Sequence, residues 1–382
     1  MAHHNTVFAQ LLKFVSRHEF EGLAKRHHCG QKLRSTNRWS QFVCLCLGQL
    51  SGRHSLRDIE SNMKAQSSRL FHLGAQPVAR TSLSRLNQKQ PYSLYEALFG
   101  KLYARCRGLA PKHGFRFKNK LYSLDASLID LSLKIFPWAH YALGKAAMKL
   151  HVSLDHHGHL PSFAAVTVGK TSDIEIGRTI RFSKGSIVVF DKGYTDYQWF
   201  KNLDNQGIFF VTRSRKNALW YVTLRREVNR STGVTSDQNI VLTGIKPKKI
   251  GMPILRRIGY RDPVTGKHYE FVTNNFQLSA KTIADIYQQR WQIELFFKWI
   301  KQNLKIKAFI GNTKNAVLTQ IWAALCMCLL LAYIKFVSKM GCSLQSMLRL
   351  LQLNLFMRRD LLSLMNNRPP DEPYDNKQLC LL

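Results

Sequence analysis

Apolar residues in the first part of the chain recur every three or four positions, which is the spacing of an amphipathic helix. Phe8, Leu11, Leu12 and Val15 follow this spacing, and it returns in the stretch WSQFVCLCLGQL. The pattern predicts a helical region over residues 1–116.

From Lys118 the pattern changes to the short apolar or alternating runs that form β-strands. In chain order the runs are LYSLDASLIDLSL, KLHVSLD, LPSFAAVTVG, SIVVFD and GIFFVTR, with helical pieces beginning near Ser172 and Thr195. The predicted order over residues 117–212 is therefore strand, strand, strand, helix, strand, helix, strand. This order predicts an α/β fold, a mixed sheet flanked by helices, and it resembles the ribonuclease H-like fold.

Residues 213–280 interrupt this alternation. They contain short β-type runs, among them LWYVTLRREV, QNIVLTGI and HYEFVTNNF, and they predict a β-rich insertion. Helical periodicity returns over residues 281–364, which we place with residues 117–212 in one ribonuclease H-like catalytic core. The polar, proline-containing residues 365–382 predict a disordered tail.

One helical stretch, Ala316 to Ile334, is uncharged for about the length that crosses a membrane. Its strictly apolar part begins only at Ile321 and is therefore shorter than a membrane span. This shorter length is more typical of a buried core helix. The prediction is therefore a core helix, with a membrane span as the alternative.

The charge balance narrows the choice of partner. The 382 residues include 57 Lys and Arg against 23 Asp and Glu, a formal net charge of +34, and 45% are hydrophobic, which excludes disorder and fibres. A protein this basic needs a polyanionic partner, and nucleic acid is the leading one.

Eight cysteines without a CxxC pair indicate reduced thiols, and the first residues lack the pattern of a secretory signal. We therefore expect a cytoplasmic protein associated with the nucleoid.

Two short helices in the amino-terminal region are candidates for DNA contact. Ser55 is placed to cap one of them, and Thr81 or Ser82 to cap the other. Together they resemble a helix-turn-helix motif. The side chains that the second helix would present to DNA are Arg85, Asn87 and Lys89. A helical bundle with a solvated basic face explains the same pattern equally well. The surplus of positive charge in this part of the chain favours DNA, and residues 1–116 are therefore predicted to be a DNA-binding region.

Two aspartates end buried strands of the predicted sheet. Asp125 follows LYSL and Asp191 follows SIVVF, and the carboxyl ends of strands are where α/β sheets hold ligands. In the ribonuclease H-like fold the first and fourth strands are neighbours, so the resemblance brings these carboxylates together. Like charges that close need a divalent cation between them. A strand-end turn or a helix cap is the ordinary alternative for each aspartate.

A third acid lies within a polar stripe on a predicted helix. Tyr287, Arg290, Glu294, Lys298 and Lys301 recur at steps of three and four residues, which places them on one helix face. Such a stripe is either an ordinary salt-bridged surface or a metal-binding carboxylate surrounded by cations for phosphates.

The spacing within this stripe has a known counterpart. Tyr287, Arg290, Glu294 and Lys301, separated by two, three and six residues, resemble the signature of the DDE transposases of the IS-four insertion-sequence family. The DKGY segment that begins at Asp191 is similar to the second-aspartate region of that family, and LYSLDAS to its first. The resemblance covers roughly residues 30–340.

The resemblance implies a transposase that binds the ends of its mobile element, cleaves DNA and joins the 3′ hydroxyl to a target strand. Asp125, Asp191 and Glu294 are then the catalytic residues and the ligands of two Mg²⁺ ions, for which Mn²⁺ can substitute. The implied DNA-binding residues of the catalytic region are Tyr287, Arg290, Lys298 and Lys301. The implied partner is double-stranded DNA, as element end and as target, bound by a homodimer.

Two other functions share these features. A structure-selective nuclease of the same fold would cut DNA without joining strands, and a decayed transposase would bind DNA as a repressor without catalysis. The complete set of three acids argues against the repressor. The HHGH segment that begins at His156 is predicted to be a turn rather than a zinc site.

Overall fold

The computed structural model describes residues 5–30, 32–34, 36–52, 55–304, 306, 308–366 and 368. The predicted disordered tail therefore falls almost entirely outside the described residues. The chain divides into two compact units, Met1–Leu109 with Trp299–Leu382, and Ala110–Lys298.

Among the described residues before the first strand, the regular elements are helices. They are α1 (Val7–Leu12), α2 (Arg17–Arg26), α3 (Arg38–Leu50), α4 (Leu56–Ala65), α5 (Ser67–Leu70), α6 (Arg80–Lys89) and α7 (Ser93–Leu109). The side chain of Ser55 accepts a hydrogen bond from the Asp58 N–H (3.1 Å), which confirms the predicted cap of α4. The predicted cap of α6 is wrong. Ala79 holds the N-cap position without a side-chain hydrogen bond, so Thr81 and Ser82 fall within the first turn.

Strands and helices mix in the next part of the chain. In order they are β1 (Leu121–Leu131), β2 (His140–Ala142), β3 (Lys145–Asp155), β4 (Leu160–Val168), α8 (Asp173–Gly177), β5 (Ile187–Phe190), α9 (Tyr197–Asn205), β6 (Phe209–Arg213), β7 (Trp220–Arg226), β8 (Val234–Leu242), α10 (Ile245–Ile250), β9 (Leu255–Arg261), β10 (His268–Thr273) and α11 (Ala280–Gln289). The remaining helices are α12 (Trp291–Asn303), α13 (Lys314–Val337), α14 (Leu344–Asn354) and α15 (Leu361–Met365).

One mixed sheet organises the Ala110–Lys298 unit. Its strand order is β2-β3-β1-β5-β6-β10-β9-β8-β7, and β4 also pairs with β3. Strand β1 is antiparallel to β3 and parallel to β5, which is in turn parallel to β6. These findings confirm a mixed α/β fold and the predicted contact between the first strand and the strand that precedes Asp191.

The predicted β-rich insertion consists of strands that continue this sheet. Strand β10 pairs antiparallel with β6, and β9, β8 and β7 follow outward by antiparallel pairing. The runs singled out in the sequence contribute to β7, β8 and β10, and β9 lies between them without a predicted counterpart. Because backbone hydrogen bonds run on from β6 into β10, residues 213–280 widen the sheet and form no separate body.

The two faces of the sheet are covered by different helices. On one face Phe190 and Phe210 of the sheet pack with Phe200 and other side chains of α9, and the Phe200 and Phe210 rings stack with centroids 4.5 Å apart. On the other face Val189 packs with Ile283 and other residues of α11. Because side chains alternate along a strand, each residue of β5 is assigned to one of these two layers.

Helix α13 is the buried centre of the other unit. It packs against α3, α6 and α7, and the Phe99 and Trp322 rings lie edge to face with centroids 5.3 Å apart. By length and composition α13 is apolar enough to cross a membrane, but 94% of its most apolar stretch is buried inside the protein. The predicted division of the chain differs here from the compact units. Residues 299–364 join the helical unit because a helix that is apolar on every side needs helices around it.

Candidate active site

Asp125 and Asp191 stand side by side where the parallel pairing of β1 and β5 ends. The prediction that Asp125 ends its strand is wrong, because β1 continues to Leu131 in antiparallel pairing with β3. In the register of β1 and β5, Leu124 pairs with Phe190, and the aspartates are the next residue on each path. Neighbouring strands lie about 4.8 Å apart. Alternation places Asp125 on the face of Leu121, and Asp191 on the face of Val189, which is the face that α11 covers.

Local backbone contacts orient both carboxylates. Asp125 Oδ1 accepts a hydrogen bond from the Ala126 N–H (2.8 Å), and Asp191 Oδ1 accepts one from the Gly193 N–H (2.7 Å). A Cβ atom at Gly193 would lie only 2.8 Å from Asp191 Oδ1. The glycine of the DKGY segment therefore leaves room for this turn, in which Asp191 caps the single helical turn Lys192–Tyr194.

The environment of Asp125 disfavours its negative charge. Burial raises the pKa of Asp125 to about 6, and the nearby charges of Asp191 and Glu294 act in the same direction. The Ala126 N–H and the Arg290 guanidinium oppose this shift but do not cancel it. A bound cation would stabilise the charged form of this partly buried carboxyl, which has the acids Asp191 and Glu294 nearby.

Arg290 connects Asp125 with Glu294. It occupies the break between α11 and α12, which the stripe of the sequence predicts as one helix. Its Nη2 atom donates a hydrogen bond to Glu294 Oε1 (2.6 Å), and its Nη1 atom lies 3.6 Å from Asp125 Oδ2. The Arg290 side chain is 15% exposed and the Glu294 side chain 33%. The pair is therefore more than a surface salt bridge, because its cation also contacts a second acid from another element.

The other members of the stripe lie in different surroundings. The Tyr287 ring packs on Phe271 with centroids 4.8 Å apart, and burial raises its pKa. Lys298 is exposed on α12. Lys301 lies on the same helix, but in the part that belongs to the helical unit. Geometry therefore brings Asp125, Asp191, Arg290 and Glu294 together, with Tyr287 behind Arg290.

The donor atoms suit a hard divalent cation, since all three acids offer carboxylate oxygens. Within the described part of the chain, no three His, Cys, Asp or Glu side chains are arranged to hold a metal ion. In this arrangement Asp125 contacts the guanidinium of Arg290 and not the carboxylate of Glu294. The paired aspartates therefore suit a hard divalent cation by their chemistry, whereas Arg290 holds Glu294 and the three acids do not form a complete ligand set in this arrangement.

The predicted DNA-contacting residues of α6 divide into two kinds. Arg85 and Lys89 are exposed. Asn87 is only 2% exposed, its Oδ1 atom accepts a hydrogen bond from Gln41 Nε2 (2.7 Å), and its carbonyl accepts one from Asn315 Nδ2 (2.8 Å). Asn87 thus anchors α6 inside the unit, and this burial removes it from any surface that DNA can reach.

Sequence reasoning passed over one feature beside the acidic site. Trp291 and Leu295, directly after Arg290 and Glu294, are large apolar side chains that are 56% and 44% exposed. Their spacing of four residues places them on one face of α12, away from buried Ile293 and Phe297. The signal was present in the sequence as two apolar residues outside the apolar stripe.

The HHGH segment forms the turn between β3 and β4, as predicted. Buried His156 shares a 2.6 Å hydrogen bond with the Ser123 hydroxyl through its Nε2 atom, and burial lowers its pKa to about 3. The segment therefore acts as a hairpin whose first imidazole is neutral.

An acidic site at the carboxyl edge of a mixed sheet, in a chain with a net charge of +34, is typical of enzymes that act on nucleic acid. A model of the transposase DDE domain matches residues 117–331, more than half of the chain. The chain therefore belongs to the family of transposases with a DDE domain. A second family model, of a domain of unknown function, matches residues 3–76.

Curated relatives agree with this family. The chain is 31% identical over 305 residues to protein y4zB of Sinorhizobium fredii, named as a transposase, covering 78% of this chain and 83% of that protein. It is 28% identical over 245 residues to the transposase named for insertion sequence element IS5377 of Geobacillus stearothermophilus, covering 64% of each. It is 23% identical over 316 residues to the one named for element IS4SA of Synechocystis, covering 82% and 86%. These matches confirm the family predicted from the sequence, and with it a transposase that acts on DNA and depends on divalent metal.

Proposed function

We propose that Asp125, Asp191 and Glu294 form the catalytic site with which this transposase cleaves DNA at the ends of its element and joins the 3′ hydroxyl to a target strand. The observation that carries the proposal is the register of β1 and β5, which sets the two aspartates side by side. Arg290 supports it by linking Asp125 to Glu294.

The proposed core is ribonuclease H-like. Strands β4, β3, β1, β5 and β6 follow one another across the sheet, and the first three in the chain (β1, β3 and β4) pair antiparallel. The next two (β5 and β6) run parallel to β1. This order and these directions support the assignment, and β7 to β10 then form an extension of the core sheet.

The three acids are proposed to hold two Mg²⁺ ions, or Mn²⁺ in their place, which when bound polarise the scissile phosphate and activate the attacking oxygen. In cleavage, a water oxygen bonds to phosphorus, the bond from phosphorus to the 3′ oxygen breaks, and that oxygen takes up a proton. In joining, the freed 3′ hydroxyl attacks a target phosphorus and a target 3′ oxygen leaves. Cleavage replaces the 3′ oxygen on phosphorus by a water oxygen, and joining replaces one 3′ oxygen on phosphorus by another, so no covalent bond to the protein is required.

Cations near the acids are proposed to position the DNA backbone. Lys298 and Lys301 extend the stripe along α12, and Arg290 and Tyr287 lie next to Glu294. Positive side chains beside a cut neutralise phosphates and hold the scissile bond in place. Arg85 and Lys89 are proposed as contacts in the helical unit, and the assembled complex as a homodimer on DNA in the cytoplasm, associated with the nucleoid.

A strand-transfer assay with pre-cut element ends tests the proposed function. Joining of the 3′ hydroxyl to a target duplex is expected, since the site provides for both cleavage and joining. If the protein cuts DNA but never joins pre-cut ends under the same conditions, it is a nuclease of this fold and the proposal of strand transfer is wrong.

Activity is expected to require Mg²⁺ or Mn²⁺, with Ca²⁺ supporting assembly on DNA but little turnover. Carboxylate oxygens bind hard cations, and catalysis favours the smaller ion with its more regular geometry. Cleavage is measured in chelator and after each metal is restored alone. Full activity in chelator without added metal would contradict the mechanism.

A further inference from the structure

The short helix α8 lies beside the turn that carries Asp191. It contacts β1 and the single helical turn Lys192–Tyr194. Ile174 of α8 packs in the same apolar layer as Phe190 and Tyr194, on the face of the sheet that α9 covers. Alternation along the strand places Asp191 on the opposite face. Helix α8 therefore lies behind the acidic site.

Two side chains of β3 attach the start of α8 to the sheet. The Oδ1 atom of Asp173, the first residue of α8, lies 3.0 Å from Lys149 Nζ and 3.7 Å from His151 Nδ1, and it is closed to solvent. Lys149 also donates a hydrogen bond to the Thr171 carbonyl (2.8 Å). The His151 Nε2 atom shares a hydrogen bond with the Thr167 hydroxyl of β4 (2.8 Å). Side chains of two strands thus hold the start of α8.

The charge in this group belongs to one ion pair. Burial lowers the pKa of His151 to about 4, so this imidazole is neutral at physiological pH. Lys149 and Asp173 are the charged partners, and their side chains are only 16% and 33% exposed. Removal of one partner would leave the other charge in a poorly solvated position. The pair is therefore a stronger attachment than a surface salt bridge.

Gly177, the last residue of α8, connects this attachment to the turn of Asp191. A Cβ atom at Gly177 would lie 3.3 Å from Cδ1 of Tyr194 and 3.8 Å from Cη2 of Trp199. The Tyr194 ring is 3% exposed and also packs on Phe190, with centroids 5.9 Å apart. Tyr194 ends the helical turn that Asp191 caps. A shift of α8 would therefore displace Tyr194 and, through this short turn, Asp191.

We propose that Lys149, Asp173 and Gly177 are positioning residues that fix the Asp191 carboxylate where it binds a divalent cation. The proposal rests on the proposed function in one respect, namely that Asp191 is a metal ligand. Groups that orient a ligand contribute to metal affinity, because a carboxylate that is already fixed loses less conformational freedom when the cation binds.

The test measures the affinity of the full chain for Mn²⁺ without DNA, by the electron paramagnetic resonance signal of the free ion. The melting temperature of each variant is measured in chelator. The variants change the ligand, the ion pair or the contact with Tyr194, and they are Asp191→Ala, Lys149→Met and Gly177→Ala.

Two matched controls accompany these variants. Arg178→Ala removes the other ion pair of α8, which Arg178 forms with Asp196 at 2.6 Å through a side chain that is half exposed. Gly100→Ala makes the same glycine replacement in helix α7, where an added Cβ atom would meet no neighbour within 4 Å. Both controls are expected to keep the Mn²⁺ affinity of the wild type.

Lys149→Met separates position from charge. By charge alone, loss of this cation would strengthen Mn²⁺ binding, because it removes a repulsion. Positioning predicts the opposite sign, with an affinity about tenfold lower, the usual effect of losing a group that orients a ligand. An affinity equal to or above that of the wild type would overturn the proposal. If this variant does not fold, Gly177→Ala decides the question alone.

Gly177→Ala keeps every charge and replaces glycine by a better helix former. The added Cβ atom presses on the Tyr194 ring, so the Mn²⁺ affinity is expected to fall by at least about twofold. The melting temperature is expected to stay close to that of the wild type, and half-maximal cleavage to need more Mg²⁺ without a change in the Kd for DNA. The same Mn²⁺ affinity as Gly100→Ala would contradict the positioning role.

Asp191→Ala distinguishes failure of this proposal from failure of the proposed function. Its Mn²⁺ affinity is expected to fall more than that of Lys149→Met. If Asp191→Ala binds Mn²⁺ as the wild type does, Asp191 is no ligand, and the proposed function fails at this residue together with the positioning role. If Asp191→Ala loses affinity while Lys149→Met and Gly177→Ala retain it, only the positioning proposal is wrong.

Discussion

Replacement of Asp125, Asp191 or Glu294 by alanine is expected to reduce DNA cleavage and strand transfer by about 10³-fold or more, while binding of DNA stays close to normal. As the proposed metal ligands, the acids act on charge that develops only in the transition state, and removal of one such group costs about 10² to 10³ in rate or more. The affinity for DNA comes from cations, which these variants retain. Cleavage of a labelled duplex and a gel-shift assay on the same preparation measure both quantities.

Asp130→Asn is the matched control for these variants. Asp130 lies on β1 five residues beyond Asp125, is exposed, and has the opposite strand parity. Its replacement is expected to leave cleavage unchanged. Near-normal cleavage by any of the three alanine variants would remove that residue from the site.

A stability measurement separates a catalytic from a structural role for Asp125. Its pKa of about 6 lies above the ordinary value of 3.8, so the folded protein favours the protonated acid. The free energy of unfolding therefore falls as the pH rises from the ordinary pKa towards about 6, because Asp125 must ionise in the folded state. Asp125→Asn removes that cost. In chelator at neutral pH its melting temperature is therefore expected to equal or exceed that of the wild type. A fall of several degrees would mean that the carboxylate is needed for folding.

Arg290→Ala is expected to give the second largest loss, at least about tenfold in cleavage, with a stability that depends on metal. In chelator the variant leaves Asp125 and Glu294 without their cation, so its melting temperature is expected to fall below that of the wild type. Saturating Ca²⁺ is expected to raise the melting temperature of the variant more than that of the wild type, because a bound cation replaces the missing guanidinium charge and stabilises the folded state by an amount that grows with the logarithm of the ratio of Ca²⁺ concentration to Kd. Thermal melts with and without Ca²⁺, beside the cleavage assay, measure this.

Arg178→Ala is the control for Arg290. Arg178 belongs to the same unit and pairs with Asp196 (2.6 Å), but its side chain is half exposed. An exposed pair of this kind contributes about 0.2 to 1 kcal/mol, so little change is expected in either assay. If Arg290→Ala also cuts normally with the same small loss of stability, the stripe is ordinary helix surface.

Several elements were predictable because their signals are local. The apolar runs that lead to Asp125 and Asp191 are strands, and the Ser55 cap needs only neighbouring backbone. The wrong predictions concern residues whose contacts come from segments far along the chain. Asn87 matched the spacing of a contact residue, but its partners Gln41 and Asn315 come from distant helices, and burial decided its role.

The sequence by itself determined the charge of the molecule, the order of strands and acids, and the spacing of the stripe, since these follow from local periodicity and composition. Only the tertiary structure decided that Arg290 lies between Asp125 and Glu294, that residues 213–280 widen the sheet, and that α13 packs with the amino-terminal helices. The reason is physical. Strand register, the break between α11 and α12, and the choice of which helices enclose an apolar one are set by contacts between distant segments, and a periodic pattern carries no record of the partner against which it packs.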